Sequence, residues 1–326
     1  MELTYRLVLT ENCNANCKHC FNANKRHGRE MDVSKLRALI ERNKSFTKDS
    51  SLYIMGGEPT LHKDIKEVIE LGLTYFNLCT LFTNGKRMGW LLQDQEIIAM
   101  ILKNPQRFGI TVNGLTFNYK EFNEWKKYVD MIAVHCVINF DTYELLLDKI
   151  RECKDDPQIR FSLSQDTQVN IFDEDIKKEY VKLLIHFYKK VYKMGITHVT
   201  SDHRLPLCVM TDELLNAFNY FHMGNKNFGC NCSMDGYYGL IQPDFTLDYC
   251  NQTSIKLGEL FHNNGTPKDG VSIQQMLFNA REMKKEELSK LRSECASCPA
   301  IDRCLAGCYF NILKEKTNAL EKAKTI

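Results

Sequence analysis

Residues 4–22 read TYRLVLTENCNANCKHCFN. The segment Tyr5–Thr10 is apolar, aromatic and β-branched, and it gives way to turn-forming residues, as a short buried strand does. Directly after it stand Cys13, Cys17 and Cys20, spaced C-x3-C-x2-C. A complete iron–sulfur cluster or a structural zinc site takes four protein ligands. Three thiols on one short loop therefore leave two readings open. Either a cubane cluster keeps one iron free for a small molecule, or a zinc site is completed by His19 or His27.

Working outward, the strand pattern recurs. Leu52–Met55, Phe76–Phe82, Phe108–Asn113, Met131–Asn139 and Arg160–Ser164 are all rich in β-branched and aromatic residues between turn formers. Helical periodicity lies between them. Val33–Arg42 follows a cap at Asp32, and Asp141 with Glu144 forms a capping-box pattern ahead of LLLDKI. Asp173–Met194 places Ile176, Tyr180, Leu183, Leu184, Phe187 and Val191 on one face and stops at Gly195. Six strand–helix units in series predict an α/β fold, a partial (β/α)6 TIM-like open barrel. Chemistry in such folds collects at the C-terminal ends of the strands. Cys13 lies just past the first strand and Gly56 ends the second.

The texture changes after about residue 200. Thr211–Met223 reads as a helix. Tyr237–Gln242, a Pro243–Asp244 turn and Thr246–Tyr249 read as a hairpin. Ile273–Arg292 reads as a charged helix, and the last eighteen residues as a polar one. The expected division is 1–205 and 206–326, the second part being a small cysteine-rich domain with a β-hairpin and helices.

The chain has 326 residues, 44% hydrophobic and 26% charged, with a formal net charge of +2. These values describe an ordinary globular core and give no basic footprint for nucleic acid or a membrane surface. No signal peptide and no apolar run of spanning length is present, so a cytoplasmic location is expected. Fourteen cysteines then need a reason other than disulfides. Cys79, Cys136 and Cys153 read as small buried hydrophobes. Seven more lie in the last hundred residues: Cys230, Cys232, Cys250, Cys295, Cys298, Cys304 and Cys308. The final four are spaced C-x2-C-x5-C-x3-C, which taken alone fits a zinc knuckle or a ferredoxin-like cluster.

Four features in order resemble the radical S-adenosylmethionine (SAM) superfamily. They are the C-x3-C-x2-C loop, Gly56-Gly57-Glu58-Pro59 after the second strand, Thr83-Asn84-Gly85 after the third, and Thr111-Val112-Asn113-Gly114 at the fourth. The resemblance covers residues 1 to about 165. It implies a [4Fe–4S] cluster on Cys13, Cys17 and Cys20 whose open iron chelates SAM. One electron then cleaves SAM to methionine and a 5′-deoxyadenosyl radical, which abstracts a substrate hydrogen. Gly56, Gly57, Glu58, Pro59, Asn84, Thr111 and Asn113 become candidate SAM-binding residues. The glycines are expected to admit the ligand closely, and a carbonyl of the Gly56–Pro59 turn and the Glu58 carboxylate to accept from the SAM ammonium. The electron comes from a donor such as flavodoxin or ferredoxin.

Behind such a barrel, the distal cysteines resemble the SPASM extension, which holds one or two auxiliary [4Fe–4S] clusters. By that resemblance, Cys230, Cys232, Cys250 and Cys308 hold one cluster, and Cys295, Cys298 and Cys304 a second that lacks a fourth cysteine. Two departures stand out. Phe245 replaces the usual hairpin glycine. Asn251 replaces the aspartate base of sulfatase maturases, and so disfavours that oxidation. SPASM relatives mostly modify peptides. The resemblance therefore implies a peptide substrate, such as a ribosomal precursor, and a crosslink or an epimerisation. The sequence starts at the barrel's first strand, so a leader peptide is expected to be met through a separate recognition protein or through the barrel rim. Cys208 is a candidate hydrogen-atom donor, set against an inert packed thiol. The alternatives are an amino-sugar-like small-molecule dehydrogenase or epimerase and, more distantly, an electron carrier without SAM chemistry.

Overall fold

The computed structural model describes residues 4–17, 20, 27–166, 169–196, 199–200, 205–219, 221, 238–249, 255–291 and 293–299. The chain divides into two compact units. The first comprises Met1–Val134 with Gly236–Ala280, the second His135–Asp235 with Arg281–Ile326.

The first unit is built on β1 (Thr4–Thr10), β2 (Ser51–Gly56), β3 (Leu78–Thr83) and β4 (Phe108–Asn113), each parallel to the next. Helices α1 (Val33–Arg42), α2 (Lys44–Thr47), α3 (Ile65–Tyr75), α4 (Met88–Gln93) and α5 (Gln95–Lys103) connect them, and α6 (Tyr119–Trp125) follows β4. Period-two alternation sorts the strand residues. Leu7, Leu9, Leu52, Ile54, Cys79 and Leu81 are fully buried, whereas Arg6, Tyr53 and Phe82, on the other face, are half-buried. The buried faces of α1 (Leu36, Leu39, Ile40), α3 (Val68, Ile69) and α5 (Ile97, Ile101) supply the rest of the core. Burying each such side chain contributes about 1.5–3 kcal/mol relative to exposure. The Asp32 cap forms as expected, its carboxylate accepting from the Ser34 and Lys35 N–H groups.

In the second unit, β5 (Met131–Ile138), which runs across the division, leads into α7 (Tyr143–Cys153), β6 (Ile159–Gln165), α8 (Glu174–Lys193), β7 (Val199–Thr200) and α9 (Asp212–Asn219). Strand β7 lies parallel to β6. Asp173 caps α8, and Gly195 ends it at φ +80°. Three local expectations change. The capping box at Asp141 does not form. The side chain of Asn139 accepts from the Asp141 and Thr142 N–H groups, and α7 starts after Thr142 without a side-chain cap. Helix α9 is shorter than Thr211–Met223. Ile176 is exposed rather than part of the buried face of α8.

The hairpin is present as β8 (Tyr238–Ile241) and β9 (Thr246–Asp248), followed by β10 (Lys256–Glu259). It belongs to the first unit, where β8 lies parallel to β1 on the edge opposite β2. The first unit's strands thus run in the open order β10-β9-β8-β1-β2-β3-β4. The charged helix α10 spans Gly270–Leu291, and α11 is the short turn Ser293–Ala296. The expected α/β class, with open strand–helix units in series, is what the chain forms. The expected terminal helix lies outside the described residues.

Candidate functional site

The ends of β1, β2 and β3 meet at the cysteine loop. A bulge after Val8 shifts the β1–β2 register, so that Thr10 faces Gly56. The loop then bonds across to the turn after β2: Gly57 N–H donates to the Thr10 carbonyl at 2.7 Å, and Glu58 N–H to the Asn12 carbonyl at 2.7 Å. Cys13 follows directly. The two glycines make this approach possible. Gly56 sits at φ +145°, and a Cβ there would overlap the Thr10 carbonyl oxygen. A Cβ on Gly57 would overlap the carbonyl of Asn12. The backbone the glycines admit is that of the cysteine loop, not only that of a ligand.

Glu58 is fully buried, and its carboxylate is engaged entirely by protein donors. Its Oε1 accepts from the Thr60 hydroxyl (2.6 Å), the Thr60 N–H (3.2 Å) and the Thr83 hydroxyl (2.8 Å). Its Oε2 accepts from the Asn84 N–H at 2.7 Å. The carboxylate expected to meet an ammonium group is instead a tie between the turns after β2 and β3. Acceptors for a ligand ammonium at this turn are then left to backbone carbonyls. Asn84 is also buried, and its Nδ2 donates to Asn14 Oδ1 at 2.8 Å and to Cys13 Sγ at 3.7 Å. Thr111 is buried on β4, and Asn113 Oδ1 accepts from the Leu115 N–H, closing its own turn.

A second brace was not legible in the sequence. Glu11 is buried, and its carboxylate accepts from the N–H groups of His27 and Arg29, both at 3.2 Å, and from the Arg29 guanidinium. Burial pushes the Glu11 carboxyl up, but the Arg29 bonds outweigh it and hold it below the usual carboxylate range. Arg29 Nη1 reaches on to Asp244 in the β8–β9 turn at 3.0 Å. The cysteine loop is closed at its base by Glu11 N–H to the Arg29 carbonyl and Met31 N–H to the Leu9 carbonyl. His62, also buried, bonds the Met31 carbonyl through Nε2 and accepts from the Asp64 N–H at Nδ1, which makes it a satisfied core histidine.

Cys13, Cys17 and Cys20 are half-buried thiols, and the Cys20 N–H donates to the Cys17 carbonyl at 3.1 Å. Among the described residues, no three Cys, His, Asp or Glu side chains are drawn together as a ready metal group. The donor set, three thiols on one loop held against a glycine turn, fits a cluster with one open corner. Cys79, Cys136 and Cys153 are core thiols; burial pushes those of Cys79 and Cys153 up to about 12 and that of Cys136 higher still. Cys208 is exposed. Of the distal set, Cys295 and Cys298 are half-buried and joined by the Cys298 N–H to the Cys295 carbonyl at 3.1 Å. Cys230, Cys232, Cys250, Cys304, Cys308 and Asn251 lie outside the described residues.

Residues 7–134 match the Radical SAM superfamily. The matched segment contains the cysteine loop, the Gly56–Pro59 turn and Asn84. Among curated proteins, the chain is 25% identical over 172 residues to an S-adenosylmethionine-dependent nucleotide dehydratase of Fibrobacter sp. (strain UWH6), covering 45% of this chain and 51% of the relative. It is 26% identical over 154 residues to a probable GTP 3′,8-cyclase of Methanococcus maripaludis (strain C5 / ATCC BAA-1333), covering 42% and 51%. The chain thus spans about half the length of these relatives. Among solved structures it resembles Streptococcus suis SuiB bound to precursor peptide SuiA, with TM-score 0.62, 18% identity, and coverage of 97% of this chain and 73% of SuiB. It also resembles native anSMEcpe with bound AdoMet and Cp18Cys peptide, with TM-score 0.59, 17% identity, and coverage of 99% and 100%. At these identities the likeness to the solved structures is one of fold. Among the described residues, no helix is long and apolar enough to cross a membrane.

Proposed function

We propose that this chain is a radical SAM enzyme that abstracts hydrogen from a peptide and leaves a crosslink or an inverted centre. The observation that carries the SAM half is the bracing of the Cys13 loop on Gly56-Gly57 and Asn84. A plain electron carrier has no need for a second motif turn held against its cysteines. In this reading Cys13, Cys17 and Cys20 hold a [4Fe–4S] cluster, the Gly56–Pro59 turn, Thr111 and Asn113 line the SAM site, and Asn84 stands against the Cys13 thiol beside it. When bound, the cluster and SAM supply one electron and a 5′-deoxyadenosyl radical. The chain's own part is to fix the three thiols, offer backbone carbonyls at Gly56–Pro59 and bury the supporting carboxylate of Glu58.

The peptide half is supported by likeness of fold over nearly the whole chain to two proteins solved with peptides. A second reading, a nucleotide substrate, is favoured by the names of the curated relatives. The division at residues 205 and 206, the SPASM assignment with its distal cysteines and one or two auxiliary clusters, an external electron donor, a separate recognition protein and a cytoplasmic location belong to the same proposal.

The test is anaerobic incubation of the iron-reconstituted protein with SAM and dithionite. 5′-Deoxyadenosine is expected, even without substrate, and its absence sinks the enzyme reading. Peptides encoded beside the gene and nucleoside triphosphates are then offered separately. A peptide that loses two hydrogens, or gains one deuterium from heavy water, supports the peptide reading. Consumption of a nucleotide overturns it.

A further inference from the structure

The amide of Asn84 is fixed on every side. Its Oδ1 accepts from the Lys86 N–H at 3.0 Å. Its two Nδ2 hydrogens go to Asn14 Oδ1 and Cys13 Sγ. Its own backbone N–H is held at 2.7 Å by Glu58. On the far side, Lys86 Nζ donates to the Asn14 carbonyl at 3.2 Å. Asn84 therefore has no side-chain donor left for a ligand. What it offers is an N–H aimed at a thiol sulfur, backed by a buried carboxylate that is itself fixed by Thr60 and Thr83.

We infer that Asn84 is a positioning residue for the Cys13 sulfur, set in place by Glu58, and that its N–H···S bond tunes the cluster rather than binding SAM. The inference rests on the reading of Cys13 as a cluster ligand. Hydrogen bonds to ligating sulfurs stabilise the extra negative charge of the reduced cluster and so raise its potential. Such a bond also fixes the direction in which Cys13 presents its sulfur.

The experiment uses anaerobically reconstituted full-length protein. Iron is counted per chain, and reduction is followed by redox titration of the paramagnetic signal that changes when SAM is added. In Asn84→Ser the donor is withdrawn from Cys13. In Asn84→Asp it is replaced by a negative oxygen, while the contact to the Lys86 N–H survives. The expected result is the parent's iron content with a lowered potential, more so for Asn84→Asp. Glu58→Gln, which sets a donor against the Asn84 N–H, is expected to shift the potential in the same direction by less. Both Asn84 variants at the parent's potential overturn the inference, and an unshifted Glu58→Gln removes Glu58 from it. If one Asn84 variant fails to fold, the other carries the test. Failure of the underlying reading looks different: Cys13→Ala would keep the parent's iron and its SAM-responsive signal.

Discussion

Two turns in the first unit both depart from ordinary backbone angles, and only one of them keeps its glycine. After β2, Gly56 sits at φ +145° with the cysteine loop directly against it. After β8, Phe245 sits at φ 62°, where a glycine is usual. Pro243, Asp244 and Phe245 form a three-residue hairpin loop whose third position is left-handed. Gln242 N–H donates to the Thr246 carbonyl and Phe245 N–H to the Gln242 carbonyl, both at 2.9 Å. An L-residue in that conformation costs about 1–2 kcal/mol. Phe245 offsets the cost by burying its ring against Phe261, edge to face at 5.1 Å. The difference teaches that the left-handed angle alone does not demand glycine. The close approach of another backbone does, and at the cysteine loop that approach is the site itself.

The hardest test of this contrast is Gly57→Ala. Gly57 is excluded from carrying a side chain by space alone, because its Cβ would meet the Asn12 and Glu11 carbonyls. The loop must move, and Cys13 moves with it. Misplacing a reacting group by about 1 Å costs on the order of 100-fold in rate. SAM cleavage is therefore expected to fall by at least about that factor. Gly265→Ala is the control: its φ is +79° with nothing within contact of a Cβ. It is expected to cost about 1 kcal/mol of stability and leave cleavage unchanged. Equal cleavage rates in the two variants would break the argument.

Phe245 sharpens the comparison from the other side. Phe245→Ala loses the buried ring and keeps the strain, with an expected cost of about 3–5 kcal/mol. Phe245→Gly loses the same ring but relaxes the backbone, so it is expected to be about 1 kcal/mol more stable than the alanine variant. Urea midpoints of the apo proteins decide. A glycine variant no more stable than the alanine one would mean that the left-handed angle costs nothing here.

The sequence showed much of this, but unevenly. Strands β1 to β6 were readable because they are rich in β-branched and aromatic residues and turn formers bracket them. Asp32 was readable as a cap because nothing nearby competes, and Asp173, read only as the start of its helix, caps it as well. Asp141 was misread because Asn139, two residues upstream, takes the N–H groups first. At the site, Cys13, Gly56, Gly57 and Asn84 stand in ordered motifs, so their meeting could be foreseen. The role of Glu58 could not, because its partners Thr83 and Asn84 arrive from the next strand. Glu11 and Arg29 pair across a loop, and Arg29 meets Asp244 from 215 residues away. No local pattern carries such pairings. The placement of β8 beside β1 escaped for the same reason.

The Arg29–Asp244 pair joins the base of the cysteine loop to the β8–β9 turn through an exposed contact. Both side chains are more than a third exposed, 46% and 38%, so solvent and salt screen the attraction. Burial pushes the Asp244 carboxyl up, but the Thr246 hydroxyl and N–H, with Arg29 and Lys256, hold it below the ordinary range. A lowered carboxyl stabilises the folded state at pH above the unfolded value, about 3.9. That contribution is lost as pH falls through the lower folded value. Arg29 stays charged throughout. Asp244→Asn keeps a side-chain oxygen for Thr246 and removes the charge together with the oxygen that accepts from Arg29 Nη1. It is therefore expected to cost about 0.5 kcal/mol at neutral pH and low salt, and nothing measurable in 1 M salt, where the screening length is about 3 Å. The parent–variant difference in urea midpoint should likewise close as pH falls through the lowered folded value of Asp244. A difference that survives high salt would mean that the turn holds the cysteine loop by shape rather than by charge.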